Sequence, residues 1–283
     1  MTKEDLYLLG ERLSHFLPKS LMKVLMRALA VPLGRRSGAL RAVEENLSCV
    51  LNSQRAGGSA KIRKLSKENL KNFAEALCEV AYCRRLSDAF IEERVEIQGL
   101  PHLEEALSKK RGVILVGAHV GNWELGGMAI ARKGYPLTAI VLRHKNPALD
   151  EAFQKRRALN GVNIIPLGGA LKNCYALLEK NGILAILGDR SFTGRGIQVD
   201  FLGKKTVYPI GAARFALETG AALLPVSFVA LRESLRKYLL EVKPPLEGLT
   251  EEALTRAFSK QVEEMVKSAP EQWFDFQRFW EPA

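Results

Sequence analysis

The chain is 283 residues long, 47% hydrophobic and 26% charged, and carries a net charge of +11 at neutral pH. That size and balance exclude a disordered or fibrous chain and leave room for one large α/β domain or two small ones. The cationic surplus favours an anionic partner, such as nucleic acid, a phospholipid surface or an acidic carrier protein. With no RNP, zinc-finger or P-loop motif, nucleic acid is set aside.

No cleavable leader is visible at the N-terminus. From Leu21 the residues Leu21, Met22, Leu25, Met26 and Leu29 recur at helical spacing, with Lys23 and Arg27 on the other side and Lys19, Arg35 and Arg36 near the ends. The pattern fits a basic amphipathic helix in a lipid headgroup layer, or a helix packed on the core with solvated cations. It is interrupted by charge, and no run of about 18 uncharged apolar residues follows it anywhere in the chain. Residues 36–52 and 64–90 read as two more helices, separated by the polar stretch "NSQRAGGSAKIR".

From "RGVILVGA" onward the pattern changes. Apolar β-type runs at 113–117, 137–142, 162–165, 183–187 and 222–230 alternate with helical segments at 122–133, 148–159, 170–180 and 209–219. This alternation predicts an α/β sandwich with a largely parallel or mixed central sheet. "GRGIQVDFLGKK" reads as a hairpin, either solvated or set to meet headgroup phosphates, "KYLLEVKPP" as a late strand, and 250–268 as a closing helix. Trp273 and Trp280 in the tail suit an interfacial aromatic belt or core packing. The simplest division is a membrane-associating segment, 1–35, ahead of a catalytic domain, 36–283. Cys49, Cys78, Cys83 and Cys174 have no metal or redox spacing and read as thiols in a reducing compartment.

The chemistry gathers at "GVILVGAHVGNWELGG", where a strand breaks at glycines before a helix. In open α/β folds, polar residues at the C-terminal ends of strands line the site. Gly117 and Gly121 let the backbone fold His119 towards Glu124, whose carboxylate would fix the imidazole tautomer and leave the other nitrogen to accept a proton. Asn122 suits a helix start and Trp123 suits packing. A Gly-x-Ser-x-Gly elbow and an HExxH motif are both absent, which argues against a serine hydrolase and a zinc protease. His15, His102 and His144 join no constellation.

"GAHVGNWELGG" resembles the His-x4-Asp/Glu block of the lysophospholipid-acyltransferase-like superfamily, and in particular the late acyltransferases of bacterial lipid A biosynthesis. It also resembles the relatives that acylate phosphatidylinositol mannosides. "VLRHKNPALDEAFQKRRALNGVNIIPLGGA" is similar to the family block with an arginine and Lys-Asn-Pro. "LAILGDRSFTGRGIQVDFLGKKTVYPIGAARFALETGAALLPV" resembles the Asp-Gln or Asp-Arg block with its following elements, and "PEQWFDFQRFW" the closing signature. The likeness runs over residues 36 to 281.

The resemblance implies acyl transfer from a thioester, acyl-ACP or acyl-CoA, to a hydroxyl of a membrane glycolipid, with a lipid A precursor as the favoured acceptor. His119 is then the general base and Glu124 its orienting charge. Arg143 stabilises an oxyanion or grips a phosphate. Asp189 and Arg190 position the acceptor or hold Arg143, and Asn146 adds a substrate contact. No metal or resident cofactor is called for. The implied partners are acyl carrier protein, a glycolipid and an anionic membrane, and the implied place is the cytoplasmic face of the inner membrane, peripheral or monotopic. "GDR" in place of Asp-Gln leans towards the mannoside-acylating relatives. A phosphatidylinositol mannoside or lysophospholipid acceptor, and a catalytically silent lipid-binding protein, are the competing readings.

Overall fold

The computed structural model describes residues 13–280, apart from 15, 54–57, 84–85, 169–170, 192–195 and 232–236. His15, the first twelve residues, and parts of "NSQRAGGSAKIR" and "SFTGRG" therefore lie outside the described residues. Three helices come first: α1 (Lys19–Arg36), α2 (Ala39–Ser53) and α3 (Ser59–Tyr82). The expected single helix over 64–90 is instead α3 followed by the short α4 (Asp88–Arg94), capped by the Ser87 hydroxyl accepting from Phe90 N–H.

Then come β1 (Val95–Gln98), α5 (Leu100–Ser108), β2 (Val113–Gly117), α6 (Trp123–Arg132), β3 (Leu137–Val141), α7 (Pro147–Leu159), β4 (Val162–Pro166), α8 (Leu171–Glu179) and β5 (Ile183–Leu187). The chain closes with the hairpin β6 (Ile197–Phe201) and β7 (Lys204–Tyr208), then α9 (Gly211–Thr219), β8 (Ala222–Ala230), β9 (Tyr238–Val242) and α10 (Glu251–Ser268). The sheet order is β1-β9-β8-β2-β5-β3-β4. Strands β8, β2, β5, β3 and β4 are parallel, while β9 pairs antiparallel with β8 and parallel with β1. The α/β expectation with a mixed, largely parallel sheet is met. The sequence reading gave neither strand β1 nor helix α5; β1 is only four edge residues, "VEIQ", directly after the charged "EER".

The alternation of β2 sets two cores. Ile114 and Val116 face one with Leu184, Phe215, Phe258 and Val262, under α9 and α10. Val113 and Leu115 face the other with Leu125, Met128, Leu137 and Leu240, under α6. The hairpin β6–β7 turns through Leu202 and Gly203, both at positive φ, and buries Val199, Phe201 and Tyr208 in the first core. Trp273 is buried there, and Trp280 packs beside it with Phe279 and Phe201. Core packing therefore accounts for both tryptophans.

In helix α1 two cations, Lys23 and Arg27, turn inward, Arg27 bonding Glu68 (2.7 Å) and Glu75 (3.0 Å) on α3, with Lys23 also against Glu75, while Lys19, Arg35 and Arg36 are exposed. Leu21, Val24, Leu25 and Leu29 face outward and are exposed. Among the described residues no helix is long and apolar enough to cross a membrane.

Candidate active site

Strands β2 and β5 are paired in register, with Gly117 opposite Leu187 and Gly188 N–H bonded to Gly117 O at 2.9 Å. Two residues further along each chain stand His119 and Asp189, so parallel pairing delivers them side by side at the C-terminal edge of the sheet. His119 Nδ1 lies 2.7 Å from Asp189 Oδ1, and the His119 backbone N–H donates to Oδ2 at 2.9 Å. The carboxylate is completely buried. Burial alone would push its pKa up, but the His119 and Arg190 charges and the two hydrogen bonds outweigh this and hold it below the usual aspartate value. An ionised carboxylate has no proton to donate, so Nδ1 carries the hydrogen and Nε2 is left as the acceptor.

This departs from the expected His119–Glu124 pair. Glu124 sits in the first turn of α6, and both its oxygens are taken by Arg157 of α7: Nε to Oε2 at 3.0 Å and Nη2 to Oε1 at 2.5 Å. Spacing of five along the chain suggested contact, but the helix carries Glu124 towards α7 while β5 brings a better-placed carboxylate. Against its burial, which favours the neutral form, the fork holds the Arg157 pKa above the ordinary guanidinium value.

The turn carrying His119 is clamped on several sides. Gly121 has φ +69°, and a Cβ there would lie 2.0 Å from Phe228 O. Asn122 caps α6 by accepting from Leu125 N–H and donates to Ala76 O. The C-terminal tail runs beneath: Gly121 N–H donates to Gln272 O, and Phe274 N–H to His119 O, both at 2.8 Å. Three asparagines fix that tail, Asn46 to Asp275 O and Gln277 O, Asn69 to Trp273 O, and Asn72 to Glu271 O. Gly121→Ala is therefore expected to cost about 3 kcal/mol, from positive φ and the clash with a backbone oxygen. Gly127→Ala on the same helix, where a Cβ meets open space, should be neutral or stabilising. Urea unfolding of both variants checks the contrast.

The remaining expected site residues scatter. Arg143 stands exposed just past β3, lining the cavity, with no carboxylate partner among the described residues. The expected Asp189–Arg143 ion pair is not formed, since Asp189 is committed to His119. Arg190 instead bonds Asp275 Oδ2 at 3.1 Å and Phe274 O at 2.6 Å, tying the β5 loop to the tail. Asn146 is spent on capping α7, accepting from Ala148 and Leu149 N–H. His144 rests against Phe153. The sequence reading missed Arg157, Gln272 and Phe274. Only the strand register, which needs the sheet order, points to the Asp189 pairing.

A cavity of about 980 Å³ opens at His119. Its walls are mostly apolar, and Arg143, Lys145, Arg157, Arg190 and Glu124 also line it. Among the described residues no group of three or more His, Cys, Asp or Glu comes together to hold a metal ion.

Residues 3–281 match the family described as bacterial lipid A biosynthesis acyltransferase. The chain is 28% identical over 269 residues to the phosphatidylinositol mannoside acyltransferase of Mycobacterium tuberculosis, covering 93% of this chain and 77% of that protein. The corresponding protein of Mycolicibacterium smegmatis is 27% identical over 280 residues, 97% of this chain and 90% of its own length. The lipid A biosynthesis palmitoleoyltransferase of Escherichia coli is 25% identical over 214 residues, 74% and 69% of the two chains. A histidine that lines a mostly apolar cavity, backed by a buried aspartate, suits such chemistry, and the match along nearly the whole chain makes this protein an acyltransferase of the bacterial lipid A biosynthesis acyltransferase family.

Proposed function

We propose that the protein moves a fatty acyl chain from a carrier thioester to a hydroxyl of a membrane glycolipid, with His119 as general base. The observation that carries this is the contact between His119, which lines the cavity, and the buried Asp189 behind it. His119 Nε2 takes the proton of the acceptor hydroxyl as its oxygen bonds to the thioester carbon. The imidazolium so formed is stabilised by Asp189. The tetrahedral oxyanion then collapses, the C–S bond breaks, and the thiolate leaves with the proton returned by His119. Arg143, a cation at the cavity mouth, stabilises the oxyanion or engages an acceptor phosphate.

Acyl-ACP, itself acidic, suits the +11 charge as donor, and acyl-CoA is the alternative. The family description supports a lipid A precursor as acceptor. A phosphatidylinositol mannoside is the second reading, favoured by the longer coverage of those relatives. The silent lipid-binding alternative required a broken base pair and no cleft. Here Asp189 replaces Glu124 at the histidine, and a cleft is present.

The protein works at the cytoplasmic face of the inner membrane, held peripherally. This is supported by the exposed leucines of α1 and by Leu142, Leu167 and Leu171 around the basic cavity mouth. Full-length protein with palmitoyl-ACP or palmitoyl-CoA and each acceptor in vesicles containing phosphatidylglycerol should yield an acceptor heavier by one acyl group, read by mass spectrometry. No acylated product from either acceptor would overturn the reading.

A further inference from the structure

The cavity lies on both faces of the sheet. On the α6 face it is walled by Val80, Ile130, Leu137, Ala139 and Leu240. On the opposite face its walls are Ile140, Ile186, Ala212, Phe215, Leu254 and Phe258. Neighbouring residues of one strand, Ala139 and Ile140, thus line different chambers, because successive side chains point to opposite sides of a sheet. A continuous sheet separates the two chambers, and His119, at the C-terminal edge of the strands, lines the cavity that joins them.

Resting on the acyl-transfer reading, we propose that the α6-face chamber receives the transferred acyl chain and the α10-face chamber an apolar chain of the acceptor lipid. The His119 ring is on the α6 face, 4.9 Å from the Trp123 ring. The transferred chain begins at the reacting carbonyl carbon, so it must enter the chamber the histidine overlooks. The acceptor's reacting oxygen belongs to a polar headgroup, which separates it from its own apolar chain by the width of that group. That chain can reach the far chamber while the headgroup crosses the edge beside Arg143, an exposed cation matched to an anionic headgroup.

The test fills one chamber at a time in the full-length protein. Gly127→Leu projects into open space on the α6 side, and Ala212→Phe narrows the α10 side. Ala139→Leu and Leu254→Phe serve as second fills, and thermal melting confirms that each variant is folded. Native mass spectrometry with palmitic acid should show two bound chains on the wild type and one on either variant. In turnover, Gly127→Leu should shift the donor preference to shorter chains, each displaced methylene costing about fourfold in kcat/KM. Ala212→Phe should leave the donor profile unchanged and raise KM for the intact lipid acceptor, but not for its deacylated headgroup. If both fills shorten the donor profile, or neither changes anything, the two-chamber assignment fails. Two bound chains without transfer would overturn the reaction while leaving the chambers standing; transfer with a single bound chain would do the reverse.

Discussion

Asp189→Asn is expected to lower kcat by about 10³–10⁴-fold with little change in the fold of the site. Asparagine keeps the shape but presents an N–H₂ to His119 Nδ1, which pushes the ring proton to Nε2 and removes the acceptor that the reaction needs. His119→Ala should lose as much or more, since it deletes the base itself. Glu124→Gln is the control, because its partner is Arg157 rather than His119. Steady-state assays with matched donor and acceptor distinguish these outcomes. Full turnover by Asp189→Asn would remove the dyad from the mechanism.

The same aspartate gives a pH signature. Its folded-state pKa lies below the unfolded value of about 3.9, so its stabilising effect is complete above that value. The contribution is lost as pH falls through the depressed folded value, as the unfolded chain binds the proton more readily. Acid unfolding followed by circular dichroism should therefore show a steeper loss of stability below pH ~4 in the wild type than in Asp189→Asn.

The second large effect concerns stability. Glu124 and Arg157 are both largely buried, with side chains 18% and 11% exposed. Glu124→Ala removes the carboxylate fork from a largely buried guanidinium, leaving it the Asp150 charge, and is expected to cost about 3 kcal/mol, a fall in Tm on the order of 10 °C for a chain of this size. Glu124→Met combined with Arg157→Met should recover most of that loss, because an apolar pair has no stranded charge. Calorimetry of the single and double variants gives the coupling directly, and additive losses would show that the pair is not a unit.

Much of the architecture was legible in the sequence because β2, β3, β4, β5 and β8 are apolar runs between amphipathic helices, a pattern set by burial on both faces of a parallel sheet. Strand β1 was not legible, since Val95 and Ile97 lie among charges that also suit a helix. At the site, His119 stood out by its place after a strand. Its partner did not, because Asp189 is 70 residues away and meets it only through the β2–β5 register. Asn146 misled for a local reason, since a polar residue before proline at a strand-to-helix corner is equally a cap. The inward turn of Lys23 and Arg27 was not legible, because periodicity locates a helix face but not which neighbour it meets. Glu68 and Glu75 of α3 decided that.

The tail beneath His119 makes the base a dependant of the helical layer outside the sheet. Gln272 O and Phe274 N–H seat the histidine turn, and the same stretch of tail hangs from Asn46 of α2 and from Asn69 and Asn72 of α3. A displacement of either helix would therefore be relayed through the tail to the imidazole.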